Sequence, residues 1–384
     1  MAETKQGSAQ TVVELGGGVG GVAAANRLRR RLDRRHRVVL VDKDAEFALA
    51  ASFVWVMSGQ RQPKQITRPL QSLKRRGIDV VIRNIDSIDA ASRTVTVDGS
   101  QINGVHLVVS LGADYATDTI PGLQQSGLTF ATRSGAEQLG QDIGALSRGR
   151  VLIVTAAPLC RCHAAPYEAA LLIDAMMRRN GRQRDVDIAI QAAEPAPMVV
   201  DGPNVSDAAK TILADRDIDN QPSHQVASAE PNTVIVADGA SESFDVLAYM
   251  PPIRSPEVVS ASASGWIEAN RNTLTIAFEG VYAIGDNTQL PLSIGKPLPR
   301  AGVFAHAQAL MVADNIAATV EGRTPTAAFD GHGGCFIETG FGKAGWGSGD
   351  FFAEPSPAVT IRPPSRRWHL GKVAFEFNVK RRWL

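Results

Sequence analysis

Cysteine is scarce in this chain, three in 384 residues, and an odd number cannot close into a disulfide framework of the secreted kind. Residues 1–10 are polar and lack the apolar stretch of an export signal, and no apolar run reaches the about 18 residues that a membrane span needs. An excess of one charge is missing too. Forty basic residues against 39 acidic ones leave a net charge of +1, so there is no general attraction to nucleic acid or membrane, and no nucleic-acid partner is expected. Neither a haem-type Cys-x-x-Cys-His nor a short-period repeat occurs. These absences point to a cytoplasmic protein with thiols reduced at rest, soluble or peripheral on the inner face of the plasma membrane. The apolar fraction, 44%, suffices for a sizeable core, and the length fits two nested α/β domains.

What is present begins with glycine. An apolar strand over residues 12–15 runs into Gly16-x-Gly18-x-x-Gly21, followed by a basic helix expected over 22–32 and a second strand over 37–41 that ends in Asp42. In such a βαβ unit Gly16 permits the tight bend, Gly18 lets the backbone approach a pyrophosphate, and Gly21 allows close helix–strand packing. The helix N-terminus adds unpaired N–H donors for phosphate. Asp42, 21 residues past Gly21, stands where a carboxylate would bond a ribose hydroxyl. Further strands are expected over 79–82, 94–97 and 105–111, the last closing on Gly112, another candidate cofactor contact. Glu14 is out of keeping inside the first strand, because burying an unpaired carboxylate is costly.

The pattern restarts at a strand over 151–154, yet no second glycine turn follows; the chain instead reads Ala157-Pro-Leu-Cys160-Arg-Cys162-His163. A helix over 167–179 and strands over 186–192, 233–236 and 246–250 come next. A strand over 280–284 delivers Gly285-Asp286, with a helix expected from about 301 to 320. The strands of the first βαβ unit are apolar at nearly every position, which implies a parallel sheet covered on both faces, while those over 233–236 and 246–250 are short and alternating. The fold class is therefore α/β: two Rossmann-like (FAD/NAD(P)-binding) domains, the second inserted in the first, plus a C-terminal segment. The divisions are 11–115 and 265–325 for the FAD-binding domain, 116–264 for the inserted domain, and 326–384 for the C-terminal segment. Gly285-Asp286 resembles the second flavin motif of the two-dinucleotide-domain flavoproteins, in which the Asp bonds the ribitol and the next helix points its N-terminus at the flavin. This makes FAD the expected cofactor.

Three readings of the cysteines stand: buried structural thiols, a zinc site of three cysteines with His163, or a redox pair serving the flavin. The helix N-terminus after the turn and the neighbouring Arg161 would lower the pKa of a thiol there. The stretch from Ala157 to Glu168 is similar to the active-site turn of sulfide:quinone oxidoreductases and flavocytochrome c sulfide dehydrogenases, Cys-Pro-Pro-x-Pro-Tyr-Glu. Phe53-Val-Trp-Val56, Gly285-Asp286, Gly295-Lys-Pro-Leu-Pro299 and Gly334-Cys-Phe-Ile-Glu338 also resemble that superfamily, and the likeness runs over roughly residues 11–375.

That resemblance implies that Cys162 and Cys335 are the redox cysteines, Cys335 nearer the flavin, and that Glu168 accepts a proton. His163 stands where the family has a proline. Many members have a third cysteine near the end of the first flavin segment; residues 105–135 hold none, so two suffice or Cys160 substitutes. It further implies that sulfide attacks a Cys162–Cys335 disulfide and that the electrons pass through FAD to a quinone, with Lys296 and Lys343 near the flavin or the quinone. The segment from Arg362 to Leu384 interleaves aromatics with cations, as an interfacial segment on anionic lipid does. A homodimer is compatible with this class. Two other functions remain: an NAD(P)H-dependent flavin oxidoreductase, against which the missing second glycine turn counts, and a flavin-bound redox sensor.

Overall fold

The computed structural model describes residues 8–158, 160–260 and 265–384. Residues 1–7 of the polar N-terminus, Leu159 of the cysteine turn and residues 261–264 at the expected domain junction lie outside the described residues. The chain opens with β1 (Thr11–Leu15), α1 (Val19–Arg31), β2 (Arg37–Asp42), α2 (Phe53–Met57), β3 (Asp79–Ile82) and β4 (His106–Val109). It continues with β5 (Leu128–Thr129), α3 (Arg133–Ala145), β6 (Gly149–Thr155), α4 (Ala165–Arg179) and β7 (Val186–Ala192). Next come α5 (Pro203–Ala214), β8 (Asp219–Pro222), β9 (Val246–Met250), β10 (Val281–Ala283) and α6 (Gly302–Val320). β11 (His332–Gly340), β12 (Lys343–Asp350), β13 (Ala358–Ser365) and α7 (Arg366–Arg382) complete it. Short ribbons and 3-10 turns fill the connections.

Two five-stranded sheets result. The first has the order β10-β4-β1-β2-β3 and the second β5-β9-β6-β7-β8, with every pairing parallel. β10 returns to the first sheet after the second has been built, so the second Rossmann-like unit is inserted in the first. Parallel strands need cover on both faces, and β1, β2 and β4 accordingly bury nearly every side chain. α1 and α6 pack against each other over the first sheet, stitched by Arg27 and Arg31 to Asp314 at 2.7 and 2.9 Å. α6 is, by length and composition alone, apolar enough to cross a membrane, which qualifies the reading that no such run exists; 61% of its most apolar stretch is buried inside the protein. That burial makes it a core helix.

α1 starts three residues earlier than its periodicity suggests, because Val19, Gly20 and Gly21 form its first turn. The larger difference lies past residue 331. The glycine-rich composition there hides an antiparallel sheet, β11-β12-β13, on which α7 closes. Pro363 and Pro364 are tolerated in β13 because it is the edge strand.

Glu14 sits in the middle of β1, opposite Leu40 and Val108, fully buried. Its Oε1 hydrogen-bonds the Ser110 hydroxyl at 2.5 Å, while Oε2 has no partner. Burial, only partly offset by Ser110, raises its carboxyl well above the ordinary value, because exclusion of water favours the protonated form. An unfolded chain would release that proton while the folded one keeps it. Stability is therefore fullest below the unfolded pKa and falls as pH rises toward the folded one, by about 1.4 kcal/mol per pH unit. Glu14→Gln keeps the shape without the titration and should remove this slope above the ordinary carboxyl range in urea unfolding. Identical slopes in the two proteins would show that Glu14 is not the group responsible.

Candidate active site

The glycine turn after β1 has the geometry of a phosphate cradle. Gly16 adopts φ +107°, and a Cβ there would lie 2.4 Å from the Ser110 carbonyl oxygen. A Cβ on Gly21 would lie 1.8 Å from the Gly16 carbonyl oxygen, which only glycine avoids. At Gly18 a Cβ would meet nothing within 4 Å, so the turn opens there onto free space. Neither α1 nor α6 has a side chain capping its N-terminus, and the two ends meet, Gly302 lying against Val19. Two sets of unpaired N–H donors thus converge beside the opening. Asp42 accepts the Gly17 and Asp44 amides, the latter at 2.6 Å, and burial raises its carboxyl from the ordinary value.

Across the mouth, Gly112 is held at φ +72° with its amide on Asn287 Oδ1 at 3.2 Å. The Gly285 amide donates to Gln308 of α6 at 2.7 Å. A small cavity beside them is lined by Gly285, Asp286, Arg300, Ala301, Phe304 and Gln308. Arg300 lies 3.9 Å over the Trp266 ring and donates to the Asp286 carbonyl at 2.9 Å, yet its Nη2 is buried without a partner. An open glycine cradle, two uncapped helix ends and an orphaned guanidinium nitrogen suit a long anionic dinucleotide. Lys296 lies on an exposed loop, and Lys343 begins β12 at the hairpin tip. Gly340 at that tip packs on Ala175 of α4, about 15 Å along the helix from its start.

The cysteine turn joins β6 to α4, at the carboxyl edge of the second sheet where parallel sheets place ligands. Cys162 holds φ +55°, with its amide on the Arg300 carbonyl at 3.0 Å and its carbonyl accepting Ala165 N–H at 2.9 Å. Its neighbour Arg161 turns away to Asp286, Nε to Oδ2 2.6 Å, and lies over the Tyr115 ring at 5.5 Å. Cys335 comes from β11, which packs on α4. All three cysteines are free thiols. Burial first, then the Glu168 charge, pushes Cys162 up to about 12, and burial with the neighbouring Cys162 raises Cys335 further. The expectation of a lowered pKa is thus corrected: Arg161 is spent on Asp286, and exclusion of water outweighs the helix end. Cys160 is buried beside Glu194, Sγ to Oε1 3.6 Å, and is raised by burial and by that charge. No group of residues with metal-site geometry occurs among the described residues.

Glu168, in the first turn of α4, accepts the Glu338 amide and the Lys372 ammonium, each at 2.8 Å. Both members of this ion pair are buried. Burial works against the Lys372 charge, but Glu168 and Glu338 outweigh it and hold its pKa above the ordinary value. Lys372 in turn lowers both Cys162 and Cys335. Beyond it, Glu338 bonds His369 Nδ1 at 3.0 Å and is raised by burial. On the opposite face of β11 from Cys335, Phe336 tilts against Trp346 and Trp346 stacks on Trp368, with ring centroids 4.6 and 5.7 Å apart.

The profile of the pyridine nucleotide-disulphide oxidoreductases matches residues 10–309, well over half of the chain. The chain belongs to this family. It is a flavin-dependent oxidoreductase, and FAD is its cofactor. Among curated members of the family, the sulfide-quinone reductase of Aquifex aeolicus is 26% identical over 96% of this chain and 90% of its own length. The mitochondrial sulfide:quinone oxidoreductase of Mus musculus is 22% identical over 90% of this chain and 79% of its own. The X-ray structure of the Aquifex aeolicus sulfide:quinone oxidoreductase superposes with a TM-score of 0.89 at 24% identity, covering 98% of this chain and 91% of that one. Its fold is the fold described above.

Sequence reasoning did not find Lys372 as a partner of Glu168, Asp286 as a partner of Arg161, or the carboxylates Glu194 and Asp201 near the turn. Only one signal was available for any of them: a lysine flanked by aromatics in a helix that the segment's basic composition disguised. The Lys372 assignment has a consequence for stability. Lys372→Met leaves Glu168 buried without a cation and should cost about 3–5 kcal/mol, while Lys372→Met with Glu168→Leu should recover most of it. Urea unfolding of the three proteins is the measurement, and a single variant as stable as the parent would refute the pairing.

Proposed function

We propose that this flavoprotein oxidises sulfide or a related sulfur nucleophile through Cys162 and Cys335 and passes the electron pair by way of FAD to a quinone. One observation carries the reading: two half-buried cysteines from distant segments sit within electrostatic reach of each other and share a single buried cation, Lys372. The names of the relatives support the substrate pair. The turn that would have held NAD(P) with glycines carries Cys162 instead.

Sulfide attacks the disulfide of the oxidised enzyme. A new S–S bond forms to Cys162, the old bond breaks, and Cys335 leaves as a thiolate. Its high pKa makes that thiolate a strong nucleophile once formed, and Lys372 is the cation that stabilises it. The thiolate then closes on the persulfide as an S–S–S bridge, and the electron pair and one proton depart. Bound FAD supplies the two-electron acceptor that passes this pair to the second substrate. Arg161 joins the turn to Asp286 and so keeps the sulfurs in register with the flavin cradle.

For the acceptor, Phe336, Trp346 and Trp368 offer apolar aromatic surface where β11 and β12 meet α7. α7 is inverted with respect to an ordinary surface helix. It buries Lys372, Glu376 and Val379 and exposes Leu370 and Phe377, 63% and 55% accessible. Leu370, Ala374, Phe377 and Arg381 follow one another at helical spacing on that outer face. Apolar side chains bordered by Arg366, Arg367 and Arg381 suit the surface of an anionic membrane, where a quinone is found.

Anaerobic titration of the flavin absorbance tests the reading. Sulfide should bleach the flavin and NADH should not; bleaching by NADH alone favours the NAD(P)H-dependent reductase, and no response to either favours a sensor. Cys162→Ser and Cys335→Ser should each abolish bleaching by sulfide with FAD still bound, and full activity in either variant rules out the relay. Leu370→Ser with Phe377→Ser should lower binding to anionic vesicles at least about tenfold in a flotation assay. Unchanged binding would detach α7 from the membrane role.

A further inference from the structure

His163 stands where the resembling family has a proline, and the structure gives it a partner. Its Nε2 lies 3.0 Å from Asp201 Oδ2, both side chains largely enclosed. Burial works against a charged imidazole, but Asp201 outweighs it and holds the ring's pKa above the ordinary value. The other oxygen of Asp201, Oδ1, is shut off from solvent and has no hydrogen-bond partner. Asp201 closes the short turn Val199–Asp201 ahead of α5, at the same carboxyl edge of the second sheet as the cysteine turn. Its charge bears directly on Cys335. Glu168, in contrast, is committed to Lys372 and to the Glu338 amide.

We propose that Asp201 accepts the proton that hydrogen sulfide must shed as it attacks, and that His163 is the residue positioning it. The inference rests on the sulfide reading above. The step balances: the sulfur of hydrogen sulfide bonds to Cys162, the Cys162–Cys335 bond breaks with its electron pair going to Cys335, and one substrate proton passes to Asp201 Oδ1. One negative charge is lost from the carboxylate and one appears on the Cys335 thiolate. The remaining charged and titratable groups around the pair are Glu194 from the loop after β7, Cys160 and Cys162 of the turn, Glu168 of α4 and Lys372 of α7.

The hydrosulfide anion has already lost that proton, so the requirement depends on pH. Stopped-flow bleaching of the flavin by sulfide reads it directly in the holoenzyme. General-base assistance of this kind contributes about 100-fold or more. Asp201→Asn should therefore slow bleaching about tenfold at about pH 6, where about a tenth of the sulfide is hydrosulfide and needs no base, and less than about threefold at about pH 9, where the hydrosulfide anion dominates. His163→Ala should show the same pH dependence with a smaller loss, and His163→Gln, which keeps an N–H for Oδ2, should regain most of the rate. A loss equal at both pH values, or no loss, overturns the assignment. Should Asp201→Asn fail to retain FAD, a pH-independent loss in His163→Ala is the overturning result. Failure of sulfide to bleach the wild-type protein is a different outcome, and it refutes the sulfide reading together with this inference.

Discussion

The buried pair of Glu168 and Lys372 is the interaction on which the arrangement of this site depends. Two ions taken out of water hold together only if each is fully matched, and the matching here uses three separate pieces of chain. Glu168 belongs to the helix that begins at the cysteine turn, Lys372 to the C-terminal helix, and the Glu338 amide to the strand that carries Cys335. Satisfying one carboxylate therefore ties together the segments that carry Cys162 and Cys335. The same cation lowers both thiols, so structural and chemical roles are combined in a single ammonium.

Enclosure sets the chemistry of the sulfurs. Ordinary reactive thiols are made acidic by exposure to cations and helix ends, whereas these are made reluctant to ionise by burial. A cysteine of that kind is a poor resting nucleophile and a strong one when released from a disulfide. This favours a cycle in which thiolate appears only when substrate has already cleaved the S–S bond. The carboxylates gathered around the turn, Glu168, Glu194 and Asp201, differ mainly in what they are bonded to. Glu168 is matched by a cation, Glu194 by the Thr155 hydroxyl at 2.6 Å, and Asp201 retains one unmatched oxygen.

The parts of the molecule that could be read from sequence are those dictated by local repetition. Apolar runs at β1, β2, β6 and β7, the glycine turn, and Gly285-Asp286 each declare themselves within a few residues, and together they yield the two Rossmann-like units and FAD. The antiparallel sheet β11–β13 could not be read because β11 and β12 are rich in glycines, which admit Trp346, Phe304 and neighbouring backbone at close range, and β13 contains two prolines. Arg161 was read as a neighbour of the cysteines because it is adjacent in sequence. A side chain of that length answers to the nearest carboxylate in space, and that is Asp286. Lys372 is read from sequence as one of the cations of an interfacial segment, because nothing in α7 itself reveals which side faces inward. Glu14 was anomalous at both levels, and only the long-range pairing with Ser110 accounts for it.

The inverted polarity of the C-terminal helix has a consequence for how the molecule is put together. Glu168 and its cation are 204 residues apart, and Glu376, anchored by Arg61 at 3.0 Å, is the counter-charge of an even earlier segment. During synthesis the second Rossmann unit can complete its strands while Glu168 still lacks its match. That early intermediate must keep the carboxylate hydrated or protonated, and its core cannot close around the turn. Closure waits for residues 366–382, so the reactive pocket is sealed by the segment whose outer face is suited to lipid. Maturation of the site and completion of this apolar, arginine-bordered outer face are the same event.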